Sequence, residues 1–153
     1  MDPESRLAEL GLELPPPPPP GGLYRACVVV GNLAFLSGHG PYRKDGTYIT
    51  GKVGRDLDLE AGYAAARQTG LSLLTTLRGS LGSLNRVRRI IKVFGLVNCT
   101  DDFLPVPKVI NGCSELFRDV FGEENGVGAR SAVGSNALPL GFAVEIEAIV
   151  EIH

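Results

Sequence analysis

The sequence predicts an α+β domain in which two helices cover one face of a mostly antiparallel sheet. Three observations lead there. Two β-rich runs flank Gly31-Asn32. Two amphipathic stretches follow, at residues 58–81 and 107–122. The chain closes on a strictly alternating run at residues 142–152.

Taken in order, residues 2–10 suit a short helix, with Asp2 as cap and Pro3 in the first turn. Pro15 to Pro20 are six consecutive prolines, which favour an extended polyproline conformation and cannot join a sheet. Residues 1–21 are therefore expected to be a helix and a stiff spacer, and residues 22–153 the domain. Gly31-Asn32 marks a tight hairpin between the runs 24–30 and 33–38. Residues 38–57 read as a long loop, which places His39 as a solvated loop histidine. Asp58 caps a helix in which Leu71, Leu74, Leu77 and Leu81 recur at helical spacing.

Residues 86–98 alternate, with Val87, Ile91, Val93 and Val97 on one face and Ile90, Phe94 and Leu96 on the other. Pro107 opens a second helix that stops at Gly122, with Ile110, Cys113, Phe117 and Val120 on one side. Residues 129–137 and 142–152 are expected to pair as a hairpin around Leu138-Pro139-Leu140-Gly141. With both helices on one face, Phe94 and Leu96 have no cover on the other, and an exposed apolar sheet face marks an interface.

Composition narrows the function. The chain has 153 residues, a formal net charge of -2 and 21% charged residues. Nucleic-acid binding needs clustered cations, and Arg86, Arg88 and Arg89 make the only cluster. No apolar run approaches the roughly 20 residues that span a bilayer, so no membrane partner is expected. The N-terminus lacks a secretion signal, and Cys27, Cys99 and Cys113 have no CxxC spacing. A cytoplasmic protein without metal or cofactor is the expectation. Phosphate-loop, nucleophile-elbow and zinc-helix motifs do not occur.

The C-terminal third carries a specific pattern: Gly128-Ala129-Arg130-Ser131-Ala132-Val133, then Leu138-Pro139, then Val144-Glu145-Ile146-Glu147-Ala148. With Tyr24, Ser37-Gly38 and Asn111 upstream, it resembles the signature of the YjgF/Rid family over about residues 22–152. The resemblance implies a chorismate-mutase-like fold and a homotrimer with a central β-barrel. It also implies small carboxylates bound in clefts between subunits. Its deaminases hydrolyse enamines and imines such as 2-aminoacrylate to 2-keto acids and ammonia. Other members are described as ribonucleases. Two positions depart from the deaminases, which carry cysteine where Ala132 stands and glutamine where His39 stands.

The chemistry points to the same residues. A 2-imino acid carries a carboxylate beside its reactive carbon, and the planar fork of Arg130 can hold it with two parallel hydrogen bonds. Glu145 is the candidate to activate water, on a strand face shared with Glu147 and Glu151, where neighbouring carboxylates raise one another's pKa. Tyr24, Ser37 and Asn111 are the candidate substrate contacts. A hairpin turning at Pro139 and Leu140 sets Arg130 opposite about residue 149, so Arg130 and Glu145 need strand bending or a second subunit to meet. A binding trimer without turnover is the alternative, and a ribonuclease a weaker one.

Overall fold

The computed structural model describes residues 1–153. Helix α1 (Pro3–Glu9) starts at Asp2, whose carboxylate accepts a hydrogen bond from the Ser5 amide at 2.8 Å. Leu7 is 3% exposed and joins the main core, with Leu10, Leu12 and Leu14 packed beside it. Glu4 fixes the helix further, accepting from the Arg78 guanidinium at 2.6 and 3.2 Å and from the Leu84 amide at 2.8 Å. The polyproline run that follows also lies on the body of the protein. Thr75 donates its hydroxyl to the Pro15 carbonyl at 2.8 Å, and Pro18, Pro19 and Pro20 wall a cavity.

Strands β1 (Cys27–Val30) and β2 (Leu33–His39) form the hairpin expected at Gly31-Asn32, with Gly31 at a φ of 59°. Only a residue tolerant of positive φ closes such a two-residue turn without strain. Helix α2 (Leu59–Leu81) is capped by Asp58 and ends at Gly82 in the left-handed region, φ 85°. Strand β3 (Val87–Asn98) leads to α3 (Val106–Phe121), a single turn α4 (Glu123–Gly126), strand β4 (Ala129–Ser135) and strand β5 (Val144–Ile152).

The sheet order is β1-β2-β5-β3-β4. All neighbours are antiparallel except β3 and β4, which run parallel with Arg130 opposite Val93. This overturns the C-terminal hairpin. Strands β4 and β5 are not neighbours; β5 lies between β2 and β3, pairing Ala148 with Val93 and Glu145 with Leu96. A strand–helix–strand crossover through α3 can set β4 parallel to β3, and the free slot between β2 and β3 is then filled by the last strand. A Leu-Pro-Leu-Gly turn is compatible with either path, so the local sequence did not decide.

Helices α2 and α3 cross on one face, as expected. Their closest approach is at Gly112, where an added Cβ would lie 2.1 Å from the Tyr63 carbonyl oxygen. Beneath them Val93, Val97, Val144, Ile146, Ala148 and Val150 are buried. A second correction concerns β3. Ile90 is buried and Ile91 is only half-buried, because the β3–β5 register shifts between Val87 and Arg89 and again between Ile90 and Lys92. Each extra residue reverses the alternation from that point. On the opposite, uncovered face stand Phe94 and Leu96, with Phe35 and Val133 more than 40% exposed. No helix is long and apolar enough to cross a membrane.

Candidate functional site

The structure sorts the five expected site residues into two groups. Arg130 and Asn111 form the first. Arg130, second residue of β4, lies opposite the buried Val93 and so points to the helix side of the sheet. Its Nη1 donates to the Asn111 Oδ1 at 2.7 Å and to the Ser114 Oγ at 3.2 Å. Asn111 sits inside α3, one turn before Ser114, so both side chains share a helix face. Ser114 escaped the sequence reading, although its spacing of three from Asn111 was the available signal. The two helical groups occupy Nη1 and leave Nε and Nη2, the edge that receives a carboxylate side-on. The chain's ion pairs do not include Arg130. Its guanidinium borders a cavity of about 320 Å³ shared with Glu115, Arg118, Glu123 and Gly128. Gly128 packs against the β3 backbone, where an added Cβ would meet the Ile90 carbonyl oxygen at 2.7 Å.

Tyr24, Ser37 and Glu145 form the second group, around a larger cavity of about 800 Å³. A bulge in β2 places Ser37 there. The β2–β5 register shifts between Leu36 and His39, so Ser37 and Gly38 are both accommodated beside the Glu147 position. The absence of a side chain on Gly38 makes room for Glu145, whose Oε1 would be 2.7 Å from an added Cβ. Glu145 is half-buried. Burial, and then the charge of Glu147, push its carboxyl above the usual glutamate range. Glu151, by contrast, is tied to Arg89 at 2.7 Å. Ser37 donates its hydroxyl to the Arg25 carbonyl at 2.5 Å, and Tyr24 is 54% exposed.

His39 is corrected from a solvated loop residue to a buried one at the end of β2. Its Nδ1 is 2.6 Å from the Ser37 carbonyl and its Nε2 2.7 Å from the Thr76 hydroxyl. A carbonyl only accepts, so Nδ1 carries the proton and Nε2 accepts from Thr76. Burial lowers its pKa and keeps the ring neutral. His39 thus clamps the bulge that presents Ser37. The cavity also holds Tyr48 and Phe142, stacked with ring centres 4.3 Å apart, which the sequence reading did not single out.

The two groups stand on opposite faces of one sheet. Val93, opposite Arg130, and Leu96, opposite Glu145, are three residues apart on a regular stretch of β3, so their side chains point to opposite sides. One chain cannot bring the Arg130 fork to the Glu145 carboxylate.

Comparison with known proteins agrees with this fold. The family described as "YjgF/chorismate_mutase-like, putative endoribonuclease" matches residues 4–150. The chain belongs to this family. It is 39% identical over 149 residues to protein TCP17 of Trypanosoma cruzi, covering 97% of this chain and 93% of that one. It superposes with a TM-score of 0.94 on a solved structure described as a putative endoribonuclease from Shewanella oneidensis. That pair is 31% identical and covers 99% of this chain and 100% of the other. RidA from an Antarctic Psychrobacter is more distant, at 26% identity and a TM-score of 0.64, covering 89% of this chain and 94% of its own. The chorismate-mutase-like fold anticipated from the Arg130 and Glu145 motifs is therefore that of the protein.

Proposed function

We propose that this protein is a cofactor-independent hydrolase of 2-imino acids and their enamine tautomers, working as a homotrimer whose clefts lie between subunits. The observation that carries the reading is the Arg130 guanidinium, braced by Asn111 and Ser114 and with its carboxylate-binding edge uncommitted. Its separation from Glu145 across the sheet supports the assembly. A second copy, seated on the uncovered face that exposes Phe35 and Val133, supplies the arginine that one chain cannot.

In such a cleft Arg130 of the partner subunit holds the substrate carboxylate. Tyr24 and Ser37 flank the imine, and Glu145 faces C2. Water adds to C2 while its proton passes to the Glu145 carboxylate. The imine nitrogen takes that proton as it becomes an amine; the C2 hydroxyl proton then follows by way of the same carboxylate, the C2–N bond breaks, and ammonia leaves as C2–O closes to the carbonyl of the 2-keto acid. A carboxyl held above the usual range keeps that proton long enough to hand it on.

The test is ammonia release from 2-iminobutyrate generated in solution. The wild-type chain accelerates it, and Arg130→Ala loses about 10²–10⁴-fold in kcat/KM, the value of two charge-assisted hydrogen bonds at about 1.5–3 kcal/mol each. Undiminished release by the variant would refute the site. Calorimetric binding of 2-ketobutyrate without any turnover would instead leave a carboxylate-binding trimer. A net charge of -2 and the Glu145–Glu147 pair beside the cavity disfavour RNA as the substrate.

A further inference from the structure

The cavity beside Tyr24 is walled by a segment that imine hydrolysis itself does not need. Pro18, Pro19 and Pro20 line one side, and Tyr48, Phe142 and Leu140 line others. We propose that this apolar chamber receives the substrate's side chain, that Pro18–Pro20 form its specificity wall, and that the preferred substrates are 2-imino acids with large branched or aromatic side chains. The inference rests on the function proposed above and adds the substrate class.

Size is the first argument. The cavity measures about 800 Å³, against about 320 Å³ beside Arg130. The reacting head, a carboxylate with one carbon and one nitrogen, needs little of that space. Cavities of roughly 300–1,000 Å³ enclose ligands of drug size.

Lining is the second. The polar groups Ser37 and Glu145 come from the β2 bulge and from β5, and Gly38 lies between them. The His39 ring stands beside them; most of the rest is proline, glycine and aromatic ring, with Tyr48 and Phe142 stacked at 4.3 Å and Tyr42, outside the lining, packed 4.9 Å from Tyr48. Such a surface gains most from a large apolar guest.

Rigidity is the third. A polyproline segment is stiff and carries no N–H groups to leave unpaired. This one is anchored before it reaches the cavity, by the bond from Thr75 to the Pro15 carbonyl and by Leu12 and Leu14 against the core. Beyond the cavity the chain is held again where it enters β1, with Cys27 paired to Leu36 of β2.

Strain is the fourth and is independent of the others. Leu140 has φ 55° and ψ 15°, a left-handed conformation that a leucine adopts only at a cost, and it is 81% exposed. The turn holds an apolar side chain out at the rim of an apolar cavity, and backbone outliers of this kind gather at ligand sites.

The experiment uses the full chain and paired probes. Imines of alanine and of phenylalanine are generated in solution by an amino-acid oxidase, and their hydrolysis is followed as ammonia release. Pyruvate and phenylpyruvate are titrated calorimetrically. The expected kcat/KM for the phenylalanine imine exceeds that for the alanine imine by at least about tenfold, the selectivity a hydrophobic pocket gives for even one methylene. Phenylpyruvate binds more tightly than pyruvate by a similar factor. The triple variant Pro18→Ala, Pro19→Ala, Pro20→Ala brings the ratio toward one. A ratio is read so that a smaller folded fraction affects both substrates alike. Leu140→Gly, which relieves the strained backbone, lowers the same ratio in a chain that folds at least as well.

Equal rates and equal affinities for small and large probes overturn the inference while leaving the hydrolase reading intact. So does a ratio unchanged in both variants. Graded keto-acid affinity with no turnover of any imine supports the wall and sinks the hydrolase instead.

Discussion

Mixing two inactive variants tests the shared cleft directly. Arg130→Ala keeps Glu145 and its cavity, and Glu145→Gln keeps Arg130 with its Asn111 and Ser114 braces. Each homogeneous variant retains only residual hydrolysis of 2-iminobutyrate. The proposed assembly sets what a mixture does. Arg130 and Glu145 project from opposite faces of one sheet, so in the proposed trimer each cleft draws its arginine from one chain and its carboxylate from a neighbour. In an equimolar mixture unfolded and refolded together, a cleft is intact when an E145Q chain supplies the arginine and an R130A chain the glutamate. For random cyclic assembly that holds for about one cleft in four, so the mixture regains about a quarter of the wild-type rate. Pooling the two variants without unfolding leaves subunits unexchanged and gives the residual rate. The readout is ammonia release at saturating substrate, beside sedimentation showing that the refolded mixture assembles like the wild type. A refolded mixture that assembles normally yet stays at the residual rate refutes the shared cleft, since a site built within one chain is broken in every subunit.

Four further variants test other parts of the same structure. Glu145→Gln lowers kcat by about 10²–10⁴-fold, the usual contribution of a positioned proton carrier. The same variant melts at a higher temperature than wild type at pH 7. The folded pKa of Glu145 is raised, so its stability is full below the ordinary value of 4.5 and declines as pH rises through the folded pKa; the two melting curves should converge in acid. Gly112→Ala destabilises by at least about 1–3 kcal/mol in urea denaturation, because its Cβ meets the Tyr63 carbonyl at 2.1 Å and overpacks the helix crossing. Gly79→Ala, in α2 with no heavy atom within 4 Å of the new Cβ, instead gains about 0.4–1 kcal/mol. Leu7→Ala costs about 2–5 kcal/mol if α1 is part of the core as its burial indicates, and an unchanged denaturation midpoint would make the N-terminal segment an appendage.

Local rules made most of the elements readable. Asp2, Asp58, Gly31-Asn32 and Gly122 are caps and turns whose chemistry acts within a few residues, and each marks an element boundary in the structure. The alternation of Val144, Ile146, Ala148 and Val150 named the buried face of β5, and the Arg130 and Glu145 motifs pointed to the family. These signals survive because hydrogen-bond caps and hydrophobic period depend on sequence neighbours alone.

Only the tertiary structure decided the rest. Whether β5 pairs with β4 or slips between β2 and β3 depends on which edges the two helical crossovers leave open, and no local signal encodes that. The β3 register shifts that bury Ile90 in place of Ile91, and the β2 bulge that buries His39 and sets Ser37 in the cavity wall, arise from fitting strands of unequal path length onto one partner. The polyproline run reads as a spacer because prolines make few internal contacts; that it walls a cavity depends on Leu7, Leu12 and Leu14 finding places on the helical layer. Arg130 and Glu145 were both named from the sequence, but their positions on opposite faces came from the parallel pairing of β4 with β3. Chain neighbours set each residue's local conformation, whereas the company it keeps across the sheet is settled by the packing of the whole.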